Sequence, residues 1–264
     1  MTKPPVVILC GGRGTRLRER TETVPKPLVE IGGRPIVWHV IGIYAAQGFD
    51  SFLLATGYLG DQIERFVDGE RWPEGVKVEC VDTGLDTPTG GRIAALGDRL
   101  AGGTFCATYA DGVADVDLDD LVEGHREAGV TATVTVVRPN LQWGVAELDG
   151  DRVSGFVEKP RSQHWINGGF FCFEPAALDL IGPESVLEHE PLERLAAAGQ
   201  LRAHRHEGFW DCMDTYKDAV ALDDLWRAGE APWRVWNVDG PKTRHIGKFS
   251  AHQRRGRGEV AARG

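Results

Sequence analysis

The chain has 264 residues, 42% apolar and 26% charged, with a formal net charge of −9, enough for one large α/β domain with an ample core. No apolar run approaches the roughly 20 residues a membrane span needs, no apolar leader precedes the first strand-like run, so no signal peptide is expected, and the acidic balance argues against general nucleic-acid binding. Five scattered cysteines (Cys10, Cys80, Cys106, Cys172, Cys212) with no C-x-x-C read as reduced, buried thiols of a cytoplasmic protein.

VVILC (6–10) is an apolar β-type run that ends in Gly11, Gly12, Gly14 and Thr15. Glycines there leave successive backbone N–H groups free, and such a concavity binds oxyanions, phosphates above all. Arg16 and Lys26 add positive charge beside it, and Lys26 stands between two prolines. The spacing is neither the Walker G-x-x-x-x-G-K-[ST] nor G-x-G-x-x-G.

Further along, PIVWHVIGIYAAQG (35–48) has helical spacing, SFLLATG (51–57) is strand-like, LGDQIERFV (59–67) helical, and VKVECVD (76–82) strand-like. GGRIAALGDRL (90–100) starts as a helix would. TFCATYADG (104–112) is a strand ending in a carboxylate, DLDDLVEGHREAG (117–129) is an amphipathic helix, and TATVTVVRP (131–139) is a β-branched strand. This alternation predicts a Rossmann-like α/β fold, a mostly parallel sheet with helices on both faces. The second half reads differently: a hairpin turning at Asp149-Gly150-Asp151, a strand over 167–173, and helices over 191–199 and 215–229. We read one domain over residues 1–240 with a β-rich second half. The tail, residues 241–264, carries seven cations against Glu259, a net +6 that leaves −15 for the rest, and is expected to be flexible and solvated.

Several carboxylates stand where chemistry would need them. Asp111, after the fourth strand, is either a turn-forming Asp-Gly or a ligand for Mg²⁺, which takes one or two carboxylates plus phosphate oxygens. Asp214 is either a helix cap or a second ligand, with Asp211 a weaker competitor. Asp115, Asp117, Asp119 and Asp120 read as helix-start charges. Glu158-Lys159 is an ordinary solvated strand end on its own, and Gly168-Gly169 read as bulge residues. The histidines, among them His189, His204 and His206, form no zinc pattern, and the absence of G-x-S-x-G gives a covalent acyl mechanism no support.

The composite GGRGTRL…PKPL (11–28) resembles the signature of the sugar-1-phosphate nucleotidylyltransferases, the nucleotide-sugar pyrophosphorylases, and the resemblance extends over residues 6–236. PKPLVEIGGRPIVWHV, VDTGLDTPTGGR, ADGVADVDL, WINGGFF, EHEPLERLAAAGQL, GFWDCMDT and LWRAGEAPW are most similar to the glucose-1-phosphate cytidylyltransferase branch. Two stretches depart from it: the connection after Gly60 is shorter, and RPNLQW (138–143) differs. The resemblance implies nucleotidyl transfer from CTP to glucose 1-phosphate, with an NTP and a sugar 1-phosphate as substrates, in a homo-oligomer. It implies Arg16, Lys26 and Asp111 as catalytic residues. Nucleotide contacts would come from Leu9, Gly11, Gly12, Gly14, Thr15, Arg16, Lys26, Asp111 and the base-reading segment Thr89, Gly90, Gly91 and Arg92. Gly144, Glu158, Lys159 and Asn167 would take the sugar phosphate, and Asp111 and Asp214 would hold Mg²⁺.

Overall fold

The computed structural model describes residues 2–14 and 23–236. Its centre is a seven-stranded sheet. Strands β1 (Val6–Leu9), β4 (Ser51–Thr56), β5 (Lys77–Asp82), β6 (Phe105–Tyr109), β8 (Ala132–Val137), β11 (Ile166–Phe173) and β12 (Leu201–Arg205) lie in the order β12-β8-β11-β6-β1-β4-β5. Pairing is parallel throughout except at β11, which runs antiparallel to both β6 and β8. The parallel sheet read from the sequence is present, with one reversed strand inserted.

Strand β1 shows why the sheet lies between two layers. Its four residues are all buried, Val6 and Ile8 in one core and Val7 and Leu9 in the other. Successive side chains of a strand point to opposite faces, so an unbroken apolar run marks a strand covered on both sides. Helices α1 (Ile36–Ala45), α2 (Gly60–Gly69), α5 (Leu118–Ala128) and α7 (Tyr216–Arg227) supply the first core. The second takes side chains from α3 (Thr89–Ala94), α4 (Gly97–Leu100), α6 (Glu190–Ala197) and a 3₁₀ turn over Pro175–Leu180. Phe105, Phe171 and Phe173 stack in that second core, fully buried, each contributing about 1.5–3 kcal/mol.

Helix ends follow local chemistry. Asp117 caps α5 by accepting from the Asp120 N–H (3.0 Å), and Gly129 ends it at φ 60°. Thr215 and Asp218 form a capping box on α7. After α7 the chain returns to α1, where His39 donates its Nε2–H to the Ile31 carbonyl (2.8 Å) and the Trp233 indole N–H lies 3.4 Å from its Nδ1. Burial pushes His39 down to about 4, which keeps the ring neutral and able to serve both partners.

The segment 90–100 starts as a helix, as read, and divides into two short helices with a turn at Ala95-Leu96. One expectation is corrected. The fourth strand stops at Tyr109, and Gly112–Ala114 (β7) leaves the main sheet to pair antiparallel with Trp210–Cys212 (β13). Strand β12, with its mixed sequence LRAHR, has no strand pattern of its own; β8 recruits it. The hairpin β9 (Val145–Asp149) with β10 (Arg152–Val157) forms as read, turning at residues 150–151. A small hairpin, β2 (Glu30–Ile31) with β3 (Arg34–Pro35), follows the Lys26 turn. Among the described residues no helix is long and apolar enough to cross a membrane.

Candidate active site

At the carboxyl end of β1, where open α/β sheets bind ligands, a cavity of about 450 Å³ opens among Leu9, the glycine turn, the Lys26 turn, the start of α3, and Asp111 and Asp214. The glycines have different jobs. A Cβ on Gly11 would stand 2.0 Å from the Arg92 guanidinium carbon, whereas one on Gly12 would meet nothing within 4 Å. Gly14 sits at φ 59°, the left-handed region that glycine enters without strain. Thus Gly11 is bare to admit a side chain, and Gly12 leaves its backbone open to the cavity. Thr15 and Arg16 lie outside the described residues.

Arg92 is 3% exposed, and both terminal nitrogens of its guanidinium are engaged. Nη1 donates to the Thr56 carbonyl (2.8 Å), the Thr83 hydroxyl (2.7 Å) and the Gly84 carbonyl (2.9 Å), and Nη2 donates to the Gly11 carbonyl (3.0 Å). It ties the ends of β1, β4 and β5 together behind the glycine turn. The expectation that Arg92 offers donors to a base is corrected accordingly, since those donors are used on carbonyls of its own chain. Gly90 and Gly91 are likewise turned elsewhere: Cβ atoms there would stand 2.6 Å from the Ser185 carbonyl oxygen and 2.0 Å from that of Pro183. They are bare so that α3 can lie against residues 183–185, and the cavity wall here is made by Thr87, Pro88, Thr89 and Arg92.

On the opposite side Lys26 begins a 3₁₀ turn (Lys26–Leu28) introduced by Pro25, whose φ of −63° suits it. Its ammonium lies 2.5 Å from Asp111 Oδ2 and 2.8 Å from Asp214 Oδ1. The two carboxylates, 103 positions apart in sequence, meet because β7 pairs with β13. Gly112 faces Cys212, and Met213 donates its N–H to the Asp111 carbonyl (2.9 Å). Asp214 is therefore not the cap of α7; Thr215 is. Burial works against the charge on Lys26, yet both carboxylates outweigh it and its pKa is raised, so the ammonium is retained. Burial, then the Asp214 carboxylate, pushes the Cys212 thiol up to about 12, so it stays protonated and is no nucleophile. Asp211 only accepts from the adjacent Cys212 N–H (2.8 Å), and burial raises its pKa. Asp115 is no ligand either; it accepts from the Phe209 N–H (2.7 Å) and lies 3.0 Å from His206 Nε2.

Among the described residues no group of three or more His, Cys, Asp or Glu side chains is arranged to hold a metal. Asp111 and Asp214 are a pair converging on one cation, and the chemistry of that donor set suits Mg²⁺, whose remaining positions go to phosphate and water.

The residues assigned to the sugar form a looser group. Gly144 and Glu158 are neighbours, because a Cβ on Gly144 would stand 2.8 Å from Glu158 Oε2 and 2.3 Å from the Phe156 ring. Lys159, at φ 47°, lies 3.9 Å from Glu158. Neither Glu158 nor Lys159 lines the cavity. Asn167 belongs to β11, where a register shift and Gly169 at φ 76° form the expected bulge. Its Nδ2 donates to the Tyr109 hydroxyl (3.0 Å), and Tyr109 does line the cavity. Sequence reasoning missed Tyr109 and Glu188. Both stood inside quoted segments, but a tyrosine ending an apolar strand and one glutamate of EHEPL carry no distinguishing spacing.

A doubly wound sheet with a glycine turn, a lysine and two convergent carboxylates at its carboxyl edge defines a phosphate-handling α/β protein. The family model described as "Nucleotidyl transferase" matches residues 5–230, and the chain belongs to that family. Glucose-1-phosphate cytidylyltransferase of Salmonella typhi is 38% identical over 253 residues, covering 87% of this chain and 98% of that one. The mannose-1-phosphate guanylyltransferase catalytic subunit beta of Danio rerio is 34% identical over 222 residues, 80% of this chain and 61% of that one. Among solved structures, UDP-glucose pyrophosphorylase from Acinetobacter baumanii superposes with a TM-score of 0.69 at 16% identity, over 89% of this chain and 96% of that one; it shares the fold.

Proposed function

We propose that the chain transfers the cytidylyl group of CTP to glucose 1-phosphate, forming the nucleotide sugar and pyrophosphate. The observation that carries this reading is the ammonium of Lys26 fixed between Asp111 and Asp214 on the wall of a glycine-rimmed cavity. The choice of CTP and glucose 1-phosphate leans on the sequence likeness to the Salmonella enzyme of that name.

The sugar phosphate oxygen forms a bond to the α-phosphorus while the bond from that phosphorus to the pyrophosphate oxygen breaks. The attacking phosphate is already an anion, so the chain supplies no nucleophile. Its task is to bring two anions together, by positioning and by fixed positive charge. Lys26 neutralises charge growing at the α-phosphate, and Arg16 takes the departing pyrophosphate. Lys159 holds the incoming phosphate, while Glu158, Asn167 and the Gly144 backbone orient the hexose. Asp111 and Asp214 would hold Mg²⁺, which when bound offsets phosphate charge. With Arg92 engaged, the base is read by backbone groups of residues 87–89 and of the glycine turn. The chain is also read as a homo-oligomer working in the cytoplasm, and light scattering of the purified protein tests the first of these.

Pyrophosphate release measured for CTP, UTP, dTTP, ATP and GTP against a panel of sugar 1-phosphates tests the whole. CTP with glucose 1-phosphate is expected to give the highest kcat/KM. Discrimination built on buried hydrogen bonds reaches about 10⁴, and discrimination by size alone roughly 10–200-fold. A purine triphosphate in first place overturns the pyrimidine reading, dTTP in first place makes it a thymidylyltransferase, and no release from any pair overturns catalysis.

A further inference from the structure

Behind Thr89 and Tyr109, which both line the cavity, lies a carboxylate with no part in the chemistry above. Glu188 sits in the segment that packs against the first turn of α3, where Gly91 donates its N–H to the Ser185 carbonyl (3.0 Å). One oxygen, Oε2, accepts from the Thr89 hydroxyl at 2.6 Å, and that hydroxyl in turn accepts from the Leu187 N–H at 3.0 Å. The other, Oε1, accepts from the Tyr109 phenol at 2.5 Å. Burial, then the Glu188 charge, holds the Tyr109 pKa well above its usual value, so the phenol stays a donor to Glu188. Its oxygen therefore faces Asn167 as an acceptor, taking the Nδ2–H at 3.0 Å, while Asn167 Oδ1 accepts from the Gly169 N–H at 2.9 Å. That leaves Asn167 in one amide orientation, with its second N–H available. The result is a continuous chain, Thr89–Glu188–Tyr109–Asn167, with a direction of donation fixed at every link. It begins on the nucleotide wall and ends on the residue assigned to the sugar.

We infer that Glu188 is a positioning residue that couples the two substrate sites, so that a bound nucleotide raises the affinity for the sugar phosphate. The inference rests on the proposed assignment of nucleotide to the Thr89 side and sugar to the Asn167 side. A nucleotide against Thr89 presses on a side chain whose polar partners among the described residues are Glu188 and the Leu187 amide. Any ordering of Thr89 is passed through one carboxylate to Tyr109 and Asn167, and hydrogen-bonded chains of this kind strengthen one another in a low dielectric. The converse follows from linkage: the sugar phosphate must raise nucleotide affinity by the same factor.

Two measurements test it. Calorimetry gives the affinity for glucose 1-phosphate with and without CTP carrying a methylene in place of its α,β-bridging oxygen. Wild type is expected to bind the sugar phosphate at least about fivefold more tightly with the analogue present, at the lower end of usual couplings. In Glu188→Gln the ratio should fall below twofold, with Tyr109→Phe behaving alike. A wild-type ratio near one, or an unchanged ratio in Glu188→Gln, overturns the coupling. The second readout needs no ligand: the side-chain amide resonance of Asn167 should shift in Thr89→Val, which removes the far end of the chain. An unmoved resonance overturns the relay even if the substrates prove to be others. Failure of the analogue to bind wild type, with the resonance shifted, counts against the proposed function and leaves the relay standing.

Discussion

Two regions of the molecule are built to different standards. The cavity wall behind the glycine turn hangs on Arg92, 3% exposed, which fastens three strand ends with its guanidinium. The hairpin β9–β10, which lies outside the cavity lining and leads to the proposed sugar contacts Glu158 and Lys159, is built otherwise: Leu148 is 67%, Val153 55% and Phe156 65% exposed. In that ladder Leu148 pairs with Val153 and Ala146 with Phe156, so one face of a two-stranded ribbon is apolar and uncovered. An isolated two-stranded hairpin is marginal in water. The difference teaches where the cost of order is met. The first region is organised by folding, with its carbonyls already paired by Arg92. The hairpin has few packed neighbours, so part of its ordering entropy falls on whatever comes to cover it.

The comparison breaks first at the charge on the cavity wall. Lys26→Ala should lower kcat by about 10²–10³, the usual cost of one preorganised charge-stabilising group. Pyrophosphate-release kinetics check it, and retention of more than half the wild-type kcat would refute the role. Next, Arg92→Ala strands the Gly11, Thr56 and Gly84 carbonyls in a buried place. It should cost roughly 2–4 kcal/mol in urea unfolding and raise the KM for the nucleotide. An unchanged midpoint would mean that the first region is not held by this clamp. Beside the hairpin, Glu158→Gln should raise the KM for glucose 1-phosphate about tenfold and leave that for the nucleotide alone, as loss of a partly solvated charged hydrogen bond would. Equal changes in both constants would erase the division between the two regions. The smallest effect is expected at Leu148→Ser, within about 0.5 kcal/mol of wild-type stability. A larger loss that grows on dilution would show that the exposed ribbon face is covered by another copy.

Both the sheet and the position of its ligand edge were legible, because apolar strand runs alternated with amphipathic helices and β1 ended in glycines. Lys26 stood out through its proline pair beside the glycine turn. Asp111 and Asp214 were each open to two readings, since what brings them to one cation is the β7–β13 pairing, a contact that no local pattern announces. Arg92 was read as a donor to the base, whereas its Nη groups donate to the chain's own carbonyls and to the Thr83 hydroxyl. An arginine after two glycines looks available in sequence, and only the fold shows that the missing Cβ of Gly11 makes room for its guanidinium. Glu188 was invisible because its two partners, Thr89 and Tyr109, come from separate elements far away in the sequence.

The strand order also constrains how the chain is made. Four neighbours, β6-β1-β4-β5, are complete by Tyr109, and they can pair as soon as they emerge. The free edge of β6 is closed by β11, through Phe171 opposite Ala107 and Phe173 opposite Phe105. β8, although synthesised before β11, reaches the sheet only through it, and β12 only through β8. A nascent chain that has not yet produced residues 166–173 therefore carries, in the middle of its future sheet, an apolar strand edge with unpaired amides and carbonyls. Such an edge invites pairing with other chains. The reversed strand thus acts as the clasp of the fold, and translation must reach it before the sheet is safe from its neighbours.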